Sequence, residues 1–255
     1  MSRTQDRGKF EGVIKVVSFN RTFYMAGVIS AFMAGAVLVY LPMVPHLRLL
    51  GWLLWSLGVW WLVGSLVVTH WIYDKSPLFH WAWLGALLPK NQPASGCFVH
   101  AGFDEASGSL KEHLGRMDWQ VLDFYDENLL GEPSINLARK LYPPPASQQW
   151  IRYDHWPLPS TSVDVVFFFF AAHELRMPEQ RVALLREATR VLAPDGRCII
   201  VEHVRDLANA LVYGPGVFHF HSVDTWLADF ETAGLKIASE GRITPWVRTW
   251  ALVKS

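Results

Sequence analysis

Two short runs, Ala171-Ala172-His173-Glu174 and Val201-Glu202-His203, set a histidine beside a carboxylate directly after an apolar stretch. Histidine takes and gives protons near neutral pH, and a neighbouring carboxylate can orient its ring. Two further histidines, His219 and His221, follow the loop Tyr213-Gly214-Pro215-Gly216. The first chemistry these residues support is removal of a hydroxyl proton. His173 is the first choice of base, oriented by Glu174 or Glu202, with His203, His219 and His221 as second choices. A bound metal is the rival. His219 and His221, two apart on an extended segment, would face one side, and His173, Glu174 and Glu202 would complete the shell. No HExxH or paired-cysteine motif accompanies them, so the reading carried forward contains no metal.

Few other chemistries find residues here. The 255 residues hold no phosphate-cradling GxxxxGK[ST] loop and no GxSxG nucleophile turn. Two cysteines, Cys97 and Cys198, exclude a disulfide framework. Residues 1–92 carry 8 basic and 3 acidic side chains and residues 93–255 carry 15 and 20, so the neutral total is a cancellation. An acidic C-terminal part without a basic stripe argues against a nucleic-acid partner.

Stepping along the chain, each histidine pair follows an apolar run of strand length. Residues 163–170, VDVVFFFF, read as a strand buried on both faces, and 197–202 as another. Strands are also expected at 97–100, 119–124 and 150–153, with helices over 109–116, 134–141 and 178–192. Pro194-Asp195-Gly196 is expected to be a turn. Ser222 is expected to cap a helix ended by Gly234, and two closing strands, 235–240 and 249–253, leave no room for a helix between them. The fold class is therefore α/β: a Rossmann-like, doubly wound, mostly parallel sheet with an antiparallel edge strand. Ligands of such sheets bind beyond the carboxyl ends of the strands, where the histidines fall.

The first third differs. Residues 23–44 and 49–68 contain no charged side chain, and each run is long enough to cross about 30 Å of hydrocarbon as a helix. The short link between them, around Pro45-His46-Leu47-Arg48, requires an antiparallel transmembrane hairpin. Arg3, Arg7, Lys9, Lys15 and Arg21 precede it, so the positive-inside bias puts the N-terminus and everything after residue 70 in the cytoplasm. The lipid bilayer is thus an expected partner. Residues 77–89 are too short to span; they suit either a helix in the headgroup layer or a hydrophobic cap on the soluble domain. The expected organisation is a basic segment at 1–22, the hairpin at 23–70, an interfacial segment and linker at 71–95, and the α/β domain at 96–255.

The run from Ser162 to Glu202 resembles the second half of class I S-adenosylmethionine-dependent methyltransferases. Asp164 opens the buried strand, and Arg190-Val191-Leu192 with Pro194-Asp195-Gly196 stands where that family carries "RVLKPGG". The resemblance extends over residues 96–255 and implies S-adenosylmethionine as cofactor. In the family an acidic residue and three alternating glycines follow the first strand. Here His100 replaces the acid, Gly102 keeps one glycine, and Asp104 and Ala106 fill the other two positions. Asp123, or else Asp126, matches the acid that binds the ribose, and Asp154-His155 matches the pair that touches adenine. The resemblance therefore implies cofactor contacts at His100, Gly102, Asp123, Asp154 and His155. With the hairpin, it points to a membrane-anchored methyltransferase acting on a lipophilic small molecule or lipid: a quinone, phenol or isoprenoid-like acceptor. The alternatives are other, metal-assisted chemistry on the same fold, or a non-catalytic membrane scaffold.

Overall fold

A computed structural model describes residues 7–255 except 90, 92, 116, 146 and 147, so Arg3, Lys90 and Arg116 lie outside the described residues. Three helices come first: α1 (Glu11–Phe19), α2 (Arg21–Tyr40) and α3 (Pro45–His70). Pro45 needs no N–H at a first helical turn, so α3 starts earlier than its uncharged run. α2 and α3 pack antiparallel. Gly27 faces Leu62, Gly35 faces Trp55 and Gly51 faces Leu38, small residues letting the helices approach. Trp55 Nε1 also donates to Ala31 O at 2.8 Å. Both helices are long and apolar enough to cross a membrane, and most of their large apolar side chains are exposed.

The rest alternates: β1 (Ser95–His100), α4 (Ser107–Leu114), β2 (Asp118–Asp123), α5 (Pro133–Leu141), β3 (Gln149–Trp150), β4 (Val163–Phe169), α6 (Pro178–Val191), β5 (Leu192–Glu202), α7 (Leu207–Tyr213), α8 (Val223–Thr232), β6 (Leu235–Thr244) and β7 (Val247–Lys254). The sheet order is β3-β2-β1-β4-β5-β7-β6, parallel except for β7, which runs antiparallel to both β5 and the edge strand β6. This is a Rossmann-like, doubly wound sheet closed by an antiparallel pair. Pro194-Asp195-Gly196 does not end in a separate turn. It lies inside β5, where the pairing with β4 slips between Val163 and Val165, because a proline without an N–H favours a bulge. A side chain at Gly196 would come within 2.8 Å of Asp164 O.

Two cores flank the sheet. On one face Leu185, Ala188, Trp226 and Phe230 of α6 and α8 cover the strands. Arg181 joins these helices through Asp229 at 2.7 Å, and Ser222 caps α8 by accepting from Thr225 N. The other face is covered by α4, α7 and the segment after α3. Leu78, Trp81, Leu84 and Leu87 are buried there against Phe98, Phe167 and Ile199. Residues 77–89 therefore form the hydrophobic cap rather than a headgroup helix, folded as 3₁₀ turns at Pro77–His80 and Ala82–Ala86. The hairpin also touches the α/β part: Trp60 Nε1 donates to Leu211 O at 2.9 Å, and Gly214 lies so close to Trp61 that any side chain there would clash.

Candidate active site

β4 ends in a tight reversal, with Phe170 at φ 49° and its N–H on Val201 O, which brings Ala172–Glu174 over the end of β5. Glu202, the last residue of β5, is fully buried. Its Oε2 lies 2.7 Å from His173 Nδ1, and its Oε1 accepts the backbone N–H groups of Ala171 and His173. His173 Nε2 lies 3.2 Å from Glu174 Oε1. Burial works against a charge on this ring, but Glu202 and Glu174 together outweigh it and hold the pKa up at about 10. His173 is thus not the free base that its type suggests, because both ring nitrogens already face carboxylates.

The remaining histidines divide. His203 Nδ1 donates to Trp246 O at 3.0 Å, which leaves Nε2 to accept from Tyr73 Oη at 3.1 Å. Burial pushes its pKa down to about 4, so this ring is neutral. His219 packs edge-on to His173 with ring centroids 5.2 Å apart, and its Nδ1 is 3.6 Å from Glu132 Oε1. His221 does not share its face. Gly214–His219 winds as a 3₁₀ helix rather than extending, so positions two apart diverge, and His221 Nε2 donates to His173 O beside Trp226. Burial lowers the His221 pKa to about 3.

These groups border a cavity of about 340 Å³ at the carboxyl end of the sheet. Phe169, Phe170, His173, Glu174, His203, His219 and Phe220 form one wall, and Ala101, Phe103 and Glu105 another. The third wall comes from the N-terminal part: Lys15, Val16 and Phe19 of α1, with Thr69 and Tyr73. Of these only Lys15 stood out in the sequence, as one charge of the basic segment, and Glu132 did not. Asp74 was the available signal, a carboxylate after an uncharged run. It accepts the N–H groups of Gly12 and Val13 at 2.6 and 3.2 Å and so fastens α1 over the site.

The β1 and β2 ends lie beside this cavity. Gly102 has φ 97°, which favours glycine, and its N–H donates to His100 Nδ1 at 3.2 Å. With Nδ1 accepting, the ring proton is on Nε2, which is buried and has no partner among the described residues. Burial lowers the His100 pKa, although Asp123 opposes it, so the ring is neutral. Asp123 is fully buried at the end of β2. Arg139 of α5 holds it at 2.7 Å, donates to Gly102 O at 3.0 Å, and lies between the rings of Tyr125 and Trp150 at 4.1 and 4.5 Å. Asp104 accepts the N–H groups of Ala106 and Ser107, capping α4 with the amides that would otherwise face a ligand. Asp154 and His155 are not brought to this place. They sit in a surface turn closed by a two-pronged Arg152–Asp154 pair at 2.9 and 2.8 Å, with His155 exposed. The short β3 ends too soon to carry them to the sheet edge.

Residues 130–200 match the protein family described as a methyltransferase domain. The solved structures similar to the chain include an S-adenosylmethionine-dependent methyltransferase from Aquifex aeolicus, 20% identical over 67% of this chain and 86% of that one, TM-score 0.45. Another comes from Methanosarcina mazei, 11% identical over 68% and 97%, TM-score 0.47. A third comes from Leishmania major, 15% identical over 66% and 68%, TM-score 0.43. No curated protein matches the chain. The stretch that matches the methyltransferase-domain family, residues 130–200, runs from the loop before α5 to near the end of β5. The residues at one end of the site fit the S-adenosylmethionine that the sequence resemblance implies. Asp123, positive-φ Gly102 and the orphaned Nε2–H of His100 lie together at the β1 and β2 ends, with Arg139 standing in for a ligand's donors.

Proposed function

We propose that this chain is a membrane-anchored methyltransferase that methylates a hydroxyl on a lipophilic acceptor. The observation that carries this reading is the shared cavity: the hairpin side supplies Val16, Phe19, Thr69 and Tyr73 to a site whose other walls belong to the methyltransferase domain. On this reading α2 and α3 span the bilayer. The basic N-terminal residues put the N-terminus and the catalytic domain in the cytoplasm. Leu207 and Leu211 are exposed on α7, which packs on α3, and would rest in the lipid surface. An acceptor confined to the bilayer is then presented at high effective concentration.

The bound cofactor supplies an electrophilic methyl group on its sulfonium. The chain supplies the rest. When the cofactor is bound, Asp123 would accept its ribose hydroxyls in place of Arg139, and His100 Nε2–H would donate to the same ligand. The aromatic wall of Phe103, Phe169, Phe170 and Phe220 keeps water from the reacting atoms. Glu174, whose Oε2 is buried without a partner among the described residues, would accept a hydrogen bond from the acceptor hydroxyl and take up its proton. Positioning in line with the methyl carbon is then the main requirement.

The test is methyl transfer by full-length protein in liposomes containing a total lipid extract, with methyl-labelled S-adenosylmethionine. Label in an organic-soluble product that is absent without protein supports the reading. Transfer only to water-soluble acceptors would sink it.

A further inference from the structure

We infer that His173, Glu174 and His219 form a binding site for one divalent transition-metal ion of the zinc type, with an open position facing the cavity. One ligand atom from each lies within 4.8 Å of the others. His173 Nε2 and Glu174 Oε1 are 3.2 Å apart. Neighbouring ligands on a tetrahedral ion with bonds of about 2.1 Å are separated by about 3.4 Å, so this pair is already spaced for one ion.

The surroundings prepare the site. Glu202 occupies Nδ1 of His173 at 2.7 Å and leaves Nε2 to face Glu174, the carboxylate–histidine–metal arrangement in which an outer acid fixes the ring. The second oxygen of Glu174 is buried and unpartnered among the described residues, so the carboxylate has lone pairs that nothing in the protein uses. His219 arrives from another loop, and Arg176 pins that loop to the His173 turn. Its Nη1 donates to His219 O at 2.5 Å and to His173 O at 3.4 Å, and its Nη2 donates to Phe218 O at 3.3 Å. Glu132 stands beside His219 at 3.6 Å. Three carboxylates, Glu132, Glu174 and Glu202, therefore surround the two rings. Two imidazoles with one carboxylate suit zinc or a similar ion, whereas magnesium and calcium are held by oxygen alone. Three protein ligands leave a coordination position for an outside oxygen. His221 is no part of the set, since its Nε2 is spent on His173 O.

This inference rests on the proposed methyl transfer and deepens it: Glu174 receives the acceptor hydroxyl through an ion that binds the acceptor oxygen directly. The test uses full-length protein in detergent, stripped with chelator and titrated calorimetrically with zinc chloride, with metal content measured after gel filtration. One bound equivalent is expected. His219→Gln and Glu174→Gln should each weaken it at least tenfold with unchanged thermal unfolding of the stripped protein, and His221→Gln should leave it unchanged. Loss of the outer acid in Glu202→Gln should cost about 10- to 100-fold in affinity. Absence of a stoichiometric ion in the wild type, or wild-type affinity in both His219→Gln and Glu174→Gln, would overturn the site. S-adenosylmethionine titrated into the same samples separates the two readings. Cofactor binding without zinc removes the ion alone, whereas binding of neither removes both.

Discussion

Asp123 and Glu202 end two strands of one sheet, and both are fully buried, yet their neighbourhoods do opposite things. Glu202 is tied to its own turn: it orders the backbone of Ala171 and His173 and holds one ring nitrogen, leaving the cavity beyond it open. Asp123 is tied to a long cation from α5, whose guanidinium also takes Gly102 O and fills the space between Tyr125 and Trp150. A carboxylate locked by short-range backbone bonds is architecture. One whose second oxygen is held by a flexible arginine, beside a single backbone bond from Tyr125 N, is a place where a ligand can compete. The His173 end of the site is therefore built and open, and the Asp123 end is built and covered.

The largest expected effect tests the first half of this contrast. Glu202→Ala leaves His173 and two backbone N–H groups without their acceptor in a buried setting. Removing one partner of a buried charged pair costs about 3–5 kcal/mol. Denaturant unfolding of the full-length protein in detergent should show a loss of that size. A loss below about 1 kcal/mol would mean that Glu202 is not the anchor of the turn.

A second effect comes from pH. His203 has its folded-state pKa held at about 4, below the ordinary value, by burial. Its contribution to stability is complete above about pH 6.5 and is lost as pH falls toward 4, because the unfolded chain takes up the proton first. The full difference is worth about 3 kcal/mol. His221, held at about 3, acts in the same direction. Melting temperature should therefore fall between pH 6.5 and 4, and His203→Gln should flatten that slope. An unchanged slope in the variant would show that this ring titrates normally.

How much of this was legible in the sequence follows the range of the interactions. The sheet, its antiparallel closing pair and the two apolar helices rest on local patterns such as VDVVFFFF and the uncharged runs, and they lie where those patterns put them within a few residues. Glu202 beside His173 was also within reach, because parallel strands bring their carboxyl ends to one edge. Arg139 was not. An arginine in the amphipathic run PSINLARKL reads as a solvated helix charge, and only the docking of α5 turns it onto Asp123. Tyr73 and Phe19 were missed because nothing local says that the chain on either side of the hairpin folds over the site. The 3₁₀ winding of Gly214–His219 hid in the same way, since Gly-Pro-Gly permits an extended loop equally well.

Next in size is the covered end. Arg139→Met removes the competitor for Asp123 while keeping an apolar chain between Tyr125 and Trp150. Stability in the absence of ligand should fall, because Asp123 keeps only the Tyr125 N–H at 3.0 Å and His100 at 3.8 Å. Affinity for S-adenosylmethionine should rise about tenfold, the equivalent of one charge-assisted hydrogen bond (about 1.5 kcal/mol) that no longer has to be broken. Calorimetric titration checks both the sign and the size. Weaker binding in the variant would mean that the arginine is itself a cofactor ligand and that the end is not covered at all.

The smallest effect is the sharpest test of where the covered end stops. Asp154 matches the family position that touches adenine, but here Arg152 takes both its oxygens on the surface, and its carboxyl is held below the usual range by that hydrogen-bonded partner. Exposed pairs of this kind contribute little, since water and side-chain entropy offset the attraction. Asp154→Ala should therefore leave cofactor affinity and melting temperature within measurement error, whereas Asp123→Ala should lose binding outright. If instead both variants weaken binding together, the surface turn must move in to meet the nucleoside. The boundary between the closed and open halves would then lie at β3 rather than at Arg139.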